Sequence, residues 1–161
     1  LRLIDTFRQK LPDVAIRTTL IVGYPGETQE EFEELKDFVR QARFDRMGCF
    51  AYSPEEGTAA YNLPDDVPQQ EKERRVSELM ELQEIISLNK NQSFIGKKMK
   101  VIIDGFTDDY LIGRTQYDSP EVDDEVLIST QSIKQPICPG DFINVRITHA
   151  MEHDLIAEII Q

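Results

Sequence analysis

AIRTTLIVGYPGET, residues Ala15 to Thr28, is the stretch on which the fold turns. Its opening, Ala15–Val22, is rich in β-branched side chains and nearly continuous in apolar ones, the pattern of a strand buried on both faces. Gly23, Pro25 and Gly26 then impose a turn. Thr28 with Glu31 three residues on is a capping-box signature, and Phe32, Leu35, Phe38 and Val39 lay an apolar stripe along the helix that follows. That helix ends in Gln41–Asp45, and Met47–Tyr52 (MGCFAY) reads as a second strand. Strand, helix, strand in this span predicts a βαβ unit with parallel pairing and a right-handed crossover. Two strands do not make a stable sheet alone. The chain also opens on Leu1, with Leu1, Ile4, Phe7 and Leu11 already at helical spacing, so it is expected to be part of a longer protein.

Towards the C-terminus, residues 53–68 hold three prolines and read as a turn-rich connection. A long helix is expected from about Gln69 to Asn91, its apolar side formed by Val76, Leu79, Met80, Leu82, Ile85, Ile86 and Leu88. From Gln92 onward the pattern changes to short β-prone runs between turns: Lys98–Phe106, Tyr110–Gln116, Glu125–Ile128, Phe142–Ala150 and Leu155–Ile160. Asp108–Asp109 and Glu152–His153–Asp154 read as hairpin connections, and Pro139–Gly140–Asp141 as a turn. Five short strands in so little chain predict a small closed or nearly closed barrel of the OB-like kind, which removes exposed edges. The fold class is therefore α/β plus all-β, with an α/β part over 1–92 and a β-barrel over 93–161.

The formal net charge is −12. Residues 1–92 carry 12 Lys+Arg against 18 Asp+Glu and residues 93–161 carry 6 against 12, so each part contributes −6. A phosphate-binding surface needs concentrated positive potential, which argues against nucleic acid as the main partner and favours a basic protein. The one basic cluster is Lys97, Lys98, Lys100 and Arg114, read as surface decoration. The two cysteines, Cys49 and Cys138, are far apart and form neither a metal-ligand spacing nor a disulfide framework; two reduced, partly buried thiols fit a cytoplasmic protein. His149 and His153 lack further ligands to complete a metal site. The apolar runs are too short to span a bilayer, and there is no signal-peptide pattern.

Taken alone, GYPGET is a tight turn between a strand's C-terminal end and a helix, the place where α/β proteins bind ligands. It is not a phosphate loop. It has no lysine, and Glu27, Glu30 and Glu31 crowd the helix start, where they would repel an anion.

Together, RTTLIVGYPGET (17–28), FDRMGCFAYSPEEGTAA (44–60), the long helix, and IGKKMKVIIDG (95–105) with LIGRTQYDSPEVDDEVLI (111–128) resemble the radical-SAM methylthiotransferases, RimO type, over essentially the whole chain. The resemblance implies the C-terminal part of a radical-SAM (β/α) half-barrel followed by a five-stranded TRAM β-barrel. It implies an enzyme that adds a methylthio group to the β-carbon of an aspartate in a small-subunit ribosomal protein. Its cofactors are S-adenosylmethionine and two [4Fe-4S] clusters. The cluster loops of the family use cysteines that this chain does not contain, so the chain alone is expected to hold neither cluster and to be inactive by itself.

By the same resemblance, Thr19, Ile21, Gly23, Tyr24 and Pro25 lie near the cofactor, with the backbone at Gly23–Tyr24 approaching it most closely. Phe50, Ala51 and Tyr52 line the same wall. The sister MiaB type, which modifies tRNA, typically carries Tyr-Ser-x-Arg-Pro-Gly-Thr after the last strand. Here the segment reads Tyr52-Ser53-Pro54-Glu55-Glu56-Gly57-Thr58, two acids in place of Arg-Pro. A MiaB-type fragment and a plain TRAM RNA-binding module are the alternatives. Asp118, Glu121, Asp123, Asp124 and Glu125 crowd one loop without a basic residue and are expected to help dock a basic ribosomal protein.

Overall fold

The computed structural model describes residues 1–130 and 135–160, and divides into two compact units, Leu1–Ile86 and Ser87–Gln161. In the first, helix α1 (Arg2–Lys10) leads to strand β1 (Arg17–Val22), helix α2 (Gln29–Ala42), strand β2 (Arg46–Ala51), a short 3-10 turn (Ala59–Asn62) and helix α3 (Gln69–Gln92), within which the division between units falls. β1 and β2 pair in parallel, with Thr19 opposite Gly48 and Ile21 opposite Phe50.

The capping box at the start of α2 is complete: Glu31 N–H donates to Thr28 Oγ1 (3.2 Å) and Thr28 N–H donates to a Glu31 carboxylate oxygen (2.8 Å). Hydrogen bonds from Thr28, the backbone one first, hold the Glu31 carboxyl below its ordinary range. The helix stops at Arg43, whose left-handed backbone (φ 45) ends the hydrogen-bond ladder.

Strand alternation divides the small sheet. Leu20, Val22, Met47 and Cys49 face a core shared with Phe32, Val39, Ala42 and Phe44 of the α2 region and with Leu79 and Ile86 of α3. Fully burying a side chain such as Phe32, Val39 or Leu79 stabilises the fold by roughly 1.5–3 kcal/mol. Ile85, read as part of the α3 stripe, is instead 61% exposed. It stands about 100° round the helix from Ile86, which takes the core position.

The second unit is a closed barrel of β3 (Lys98–Phe106), β4 (Tyr110–Arg114), β5 (Glu125–Ser129), β6 (Phe142–Ala150) and β7 (Asp154–Ile159) in the order β3-β4-β5-β7-β6. All pairings are antiparallel except β5 with β7. Alternate residues fill the interior: Val101 and Ile103, Leu111, Val126 and Ile128, Val145 and Ile147, Leu155 and Ala157. Gly113 occupies the interior face of β4 because a Cβ there would lie 2.5 Å from Val101 Cγ1 and 2.6 Å from the Ile102 carbonyl oxygen. The strand bounds agree with the sequence reading to within two residues.

The two cysteines differ from the expectation of two partly buried thiols. Cys49 is buried in the sheet, while Cys138 is exposed in the turn before β6. Among the described residues, no helix is long and apolar enough to cross a membrane.

Candidate ligand-facing wall and barrel loop

Residues opposite one another in a parallel pair point to the same side, so Thr19, Ile21, Gly48 and Phe50 share the sheet face away from the core. Ile21 is 59% and Phe50 62% exposed, an apolar surface at the C-terminal ends of two parallel strands. Gly48 leaves the strip between Thr19 and the Phe50 ring free of a side chain. Ala51 falls on the core-facing side of the alternation and is half-buried.

Beyond the strand ends the chain is held by charge. Glu27 stands one position before the N-cap rather than in the first helical turn, and its side chain curls back over the GYPGET turn. One carboxylate oxygen accepts from the Gly23 N–H and, at 3.1 Å, from the Tyr24 N–H. Its other oxygen lies 3.0 Å from Arg75 Nη1, and the same guanidinium donates to the Glu27 carbonyl (3.1 Å). The Gly23 and Tyr24 amides, expected to be the backbone nearest a cofactor, therefore have an acceptor within the chain. Gly23 takes a left-handed conformation (φ 73) and Gly26 another (φ 86), with Pro25 half-buried between them. The Gly26 N–H is capped by Asp66 (2.7 Å).

Tyr24 is 45% exposed, and its ring meets that of Tyr52 edge-on with centroids 5.4 Å apart. Tyr52 is buried: its N–H donates to the Val22 carbonyl (2.8 Å) and its hydroxyl to the Ala60 carbonyl (3.1 Å). Burial first, and then the neighbouring Tyr24 and Asp65, push its hydroxyl above the ordinary tyrosine range, with the Lys72 charge opposing them. Lys72, only 1% exposed, brings its ammonium 2.7 Å from both Asp65 carboxylate oxygens and 3.2 Å from the Tyr52 carbonyl, with the Tyr52 ring 5.2 Å away. Lys72, Arg75, Asp65 and Asp66 escaped the sequence reading. The available signal was LPDDVP, two adjacent acids between prolines in a connection otherwise read as plain turn.

In the barrel unit the five acids of the loop have different roles. Asp118 is buried and accepts from the Thr115 hydroxyl (2.5 Å) and the Thr115 N–H (3.3 Å). Asp123, half-buried, accepts from the Ser119 N–H (2.7 Å). Asp124 is buried and accepts from Asn91 Nδ2 (2.8 Å). Glu121, at φ 63, and Glu125 are exposed. Val122 between them is 72% exposed. Of the basic residues, Arg114 pairs with Asp104 (2.9 Å), Lys97 lies 5.2 Å from the centre of the Phe94 ring, and Lys100 lies 4.7 Å from that of Phe142.

Among the described residues, no group of three or more His, Cys, Asp or Glu side chains is placed to hold a metal ion. The exposed Thr19, Ile21, Phe50 and Tyr24 surface does suit a flat, partly apolar ligand such as an adenosyl group.

Comparison with known proteins bears on both units. The TRAM domain family model matches residues 95–160, the closed barrel. Ribosomal protein uS12 methylthiotransferase RimO of Bacteroides thetaiotaomicron is 54% identical over 160 residues, 99% of this chain and 36% of that protein. The protein of the same name from Christiangramia forsetii is 52% identical over 98% of this chain and 34% of its own length, and that from Chlorobium limicola 51% over 99% and 37%. The chain spans about a third of the length of these curated relatives. With a TRAM match over the barrel and about half its residues shared along nearly its whole length, the chain is similar to a stretch, about a third of their length, of the RimO-type methylthiotransferases.

Proposed function

We propose that this chain serves, within a longer enzyme, in adding a methylthio group to the β-carbon of an aspartate in ribosomal protein uS12. The observation that carries this reading is the 54% identity to a RimO protein over 99% of the chain. The match runs over 99% of the chain and so takes in the βαβ part as well as the barrel, which favours retention of the whole site and not of the TRAM domain alone.

In this reading residues 1–92 complete the wall of the cofactor-binding barrel, with α3 bracing it, and residues 93–161 dock the protein substrate. Thr19, Ile21, Tyr24 and Phe50 offer the surface for S-adenosylmethionine, while Gly23, Pro25, Ala51 and Tyr52 shape the rim behind it. S-adenosylmethionine and its cluster supply the radical chemistry that an unactivated C–H bond demands. The residues of this chain position the ligand and exclude water. Both [4Fe-4S] clusters belong to parts of the enzyme outside these residues, and the chain alone is inactive. The acidic loop 118–125 faces a basic protein with Glu121 and Glu125, and its other three acids hold the loop in shape.

Equilibrium binding of the chain to uS12 and to a tRNA anticodon stem-loop, over a salt series, tests this reading. Selective binding to uS12 that weakens with salt is the expected result. Preference for the RNA would reverse the assignment towards the tRNA-modifying sister group.

A further inference from the structure

The most deeply buried cation in the first unit is not explained by the core. Lys72 is 1% exposed, yet it sits at the start of α3, where a lysine ordinarily reaches solvent. Its stem lies over the turn: a Cβ on Gly23 would come within 2.3 Å of Lys72 Cγ and 3.1 Å of its Cδ. Its head joins two separate pieces of chain, Asp65 in the connection before α3 and Tyr52 just after β2, which it meets at both the carbonyl and the ring. Tyr52 in turn carries the exposed ring of Tyr24. One turn further along α3, Arg75 fastens Glu27, which fastens the Gly23 and Tyr24 amides.

With Lys72 buried and the Asp65 side chain 34% exposed, the pair is a weak source of net stability, because desolvating the lysine offsets much of the attraction; what it does supply is a tie between two pieces of chain. A leucine of similar volume would fill the space but leave the Tyr52 carbonyl without its lysine donor and the ring without its cation, its pose then held by the hydroxyl bond to Ala60. We propose that Lys72 is a positioning residue, paired with Asp65, that sets the pose of the Tyr24–Tyr52 pair at the rim of the S-adenosylmethionine surface. This rests on the proposed function for the identity of the ligand, though not for the coupling between lysine and tyrosines.

The test uses Lys72→Met, Asp65→Asn and, as a core control, Leu79→Ala. In the 161-residue chain, proton NMR reads the ring-to-ring contacts of Tyr24 and Tyr52. In the full-length, cluster-loaded enzyme, equilibrium dialysis reads S-adenosylmethionine affinity beside the melting temperature. Lys72→Met is expected to abolish the ring-to-ring contacts and to weaken affinity about tenfold, the scale of one lost charge-assisted hydrogen bond. Asp65→Asn should move both readouts in the same direction by less, and adding it to Lys72→Met should cost little more. Leu79→Ala should lower the melting temperature and leave both readouts unchanged. If Lys72→Met keeps the ring contacts, or loses no more affinity than Leu79→Ala, the positioning role is wrong. If the unaltered full-length enzyme binds no S-adenosylmethionine, the proposed function fails instead, and the ring contacts in the chain still decide whether Lys72 sets the pair.

Discussion

Asn91, next to the last residue of α3, donates from Nδ2 to the Asp124 carboxylate over 2.8 Å, and the same amide reaches the Met151 carbonyl at 3.0 Å. One side chain, fully buried, thus ties the acidic loop to the β6–β7 hairpin and to the end of the helix. Asn91→Ala should cost roughly 1–3 kcal/mol, since it takes a donor from the buried Asp124 carboxylate and from the part-buried Met151 carbonyl. Thermal unfolding of the variant beside Asn89→Ala, an exposed neighbour, measures this difference.

The division of labour among the loop acids makes a separate prediction about docking. Glu121→Gln with Glu125→Gln should weaken binding to a basic partner and flatten its salt dependence while changing the unfolding free energy by no more than about 0.5 kcal/mol. Asp118→Asn with Asp124→Asn should lower the melting temperature, because their partners Thr115 and Asn91 are buried. Salt-series binding and thermal scans on the two pairs separate the roles. Equal loss of binding from both pairs with no change in melting would contradict this sorting.

Much of this architecture is legible in the sequence because periodicity reports burial. AIRTTLIV and MGCFAY give the parallel strands, Thr28 and Glu31 give the cap, and the turn residues between 93 and 161 mark the barrel strands. What stays hidden is where long polar side chains go. Lys72 looks like any solvated lysine, and Glu27 like any helix-start acid, until the backbone turns them back over Gly23. The acids of the 118–125 loop are alike in sequence, and only the positions of Thr115, Ser119 and Asn91 decide which of them are spent inside. Periodicity carries no information on such contacts, because it reports which face of an element is buried and not which partner a polar side chain takes, whether three residues away or thirty.

The cysteines differ in environment, and their reactivity should differ accordingly. Burial first, and then the nearby Glu27 charge, push the Cys49 thiol up to about 11. Cys138 is exposed. Iodoacetamide at pH 8 should therefore modify Cys138 alone in the folded chain, with Cys49 labelled only once denaturant is added. Intact-mass and peptide mass spectrometry would show one adduct and then two. Prompt labelling at Cys49 would mean that the β1–β2 sheet opens readily.

Glu71 provides a pH signature for the end of α3 that carries Lys72. Hydrogen bonds from Arg74 first and Arg75 second hold its carboxyl at about 2, well below its ordinary 4.5. A carboxyl depressed on folding contributes stability that is fully present above the unfolded value and is lost as the pH falls through the folded one. The contribution should therefore fade between about pH 4.5 and about pH 2. Glu71→Gln should lower the melting temperature at pH 7 and narrow its difference from the original protein as the pH falls across that window. Because the Glu71 side chain is part-exposed, added salt should shrink the effect at every pH. Melting curves from pH 7 down to pH 2, at low and high salt, would show the two profiles converging on the acid side; parallel profiles would mean that the Arg74–Glu71–Arg75 arrangement adds nothing to stability.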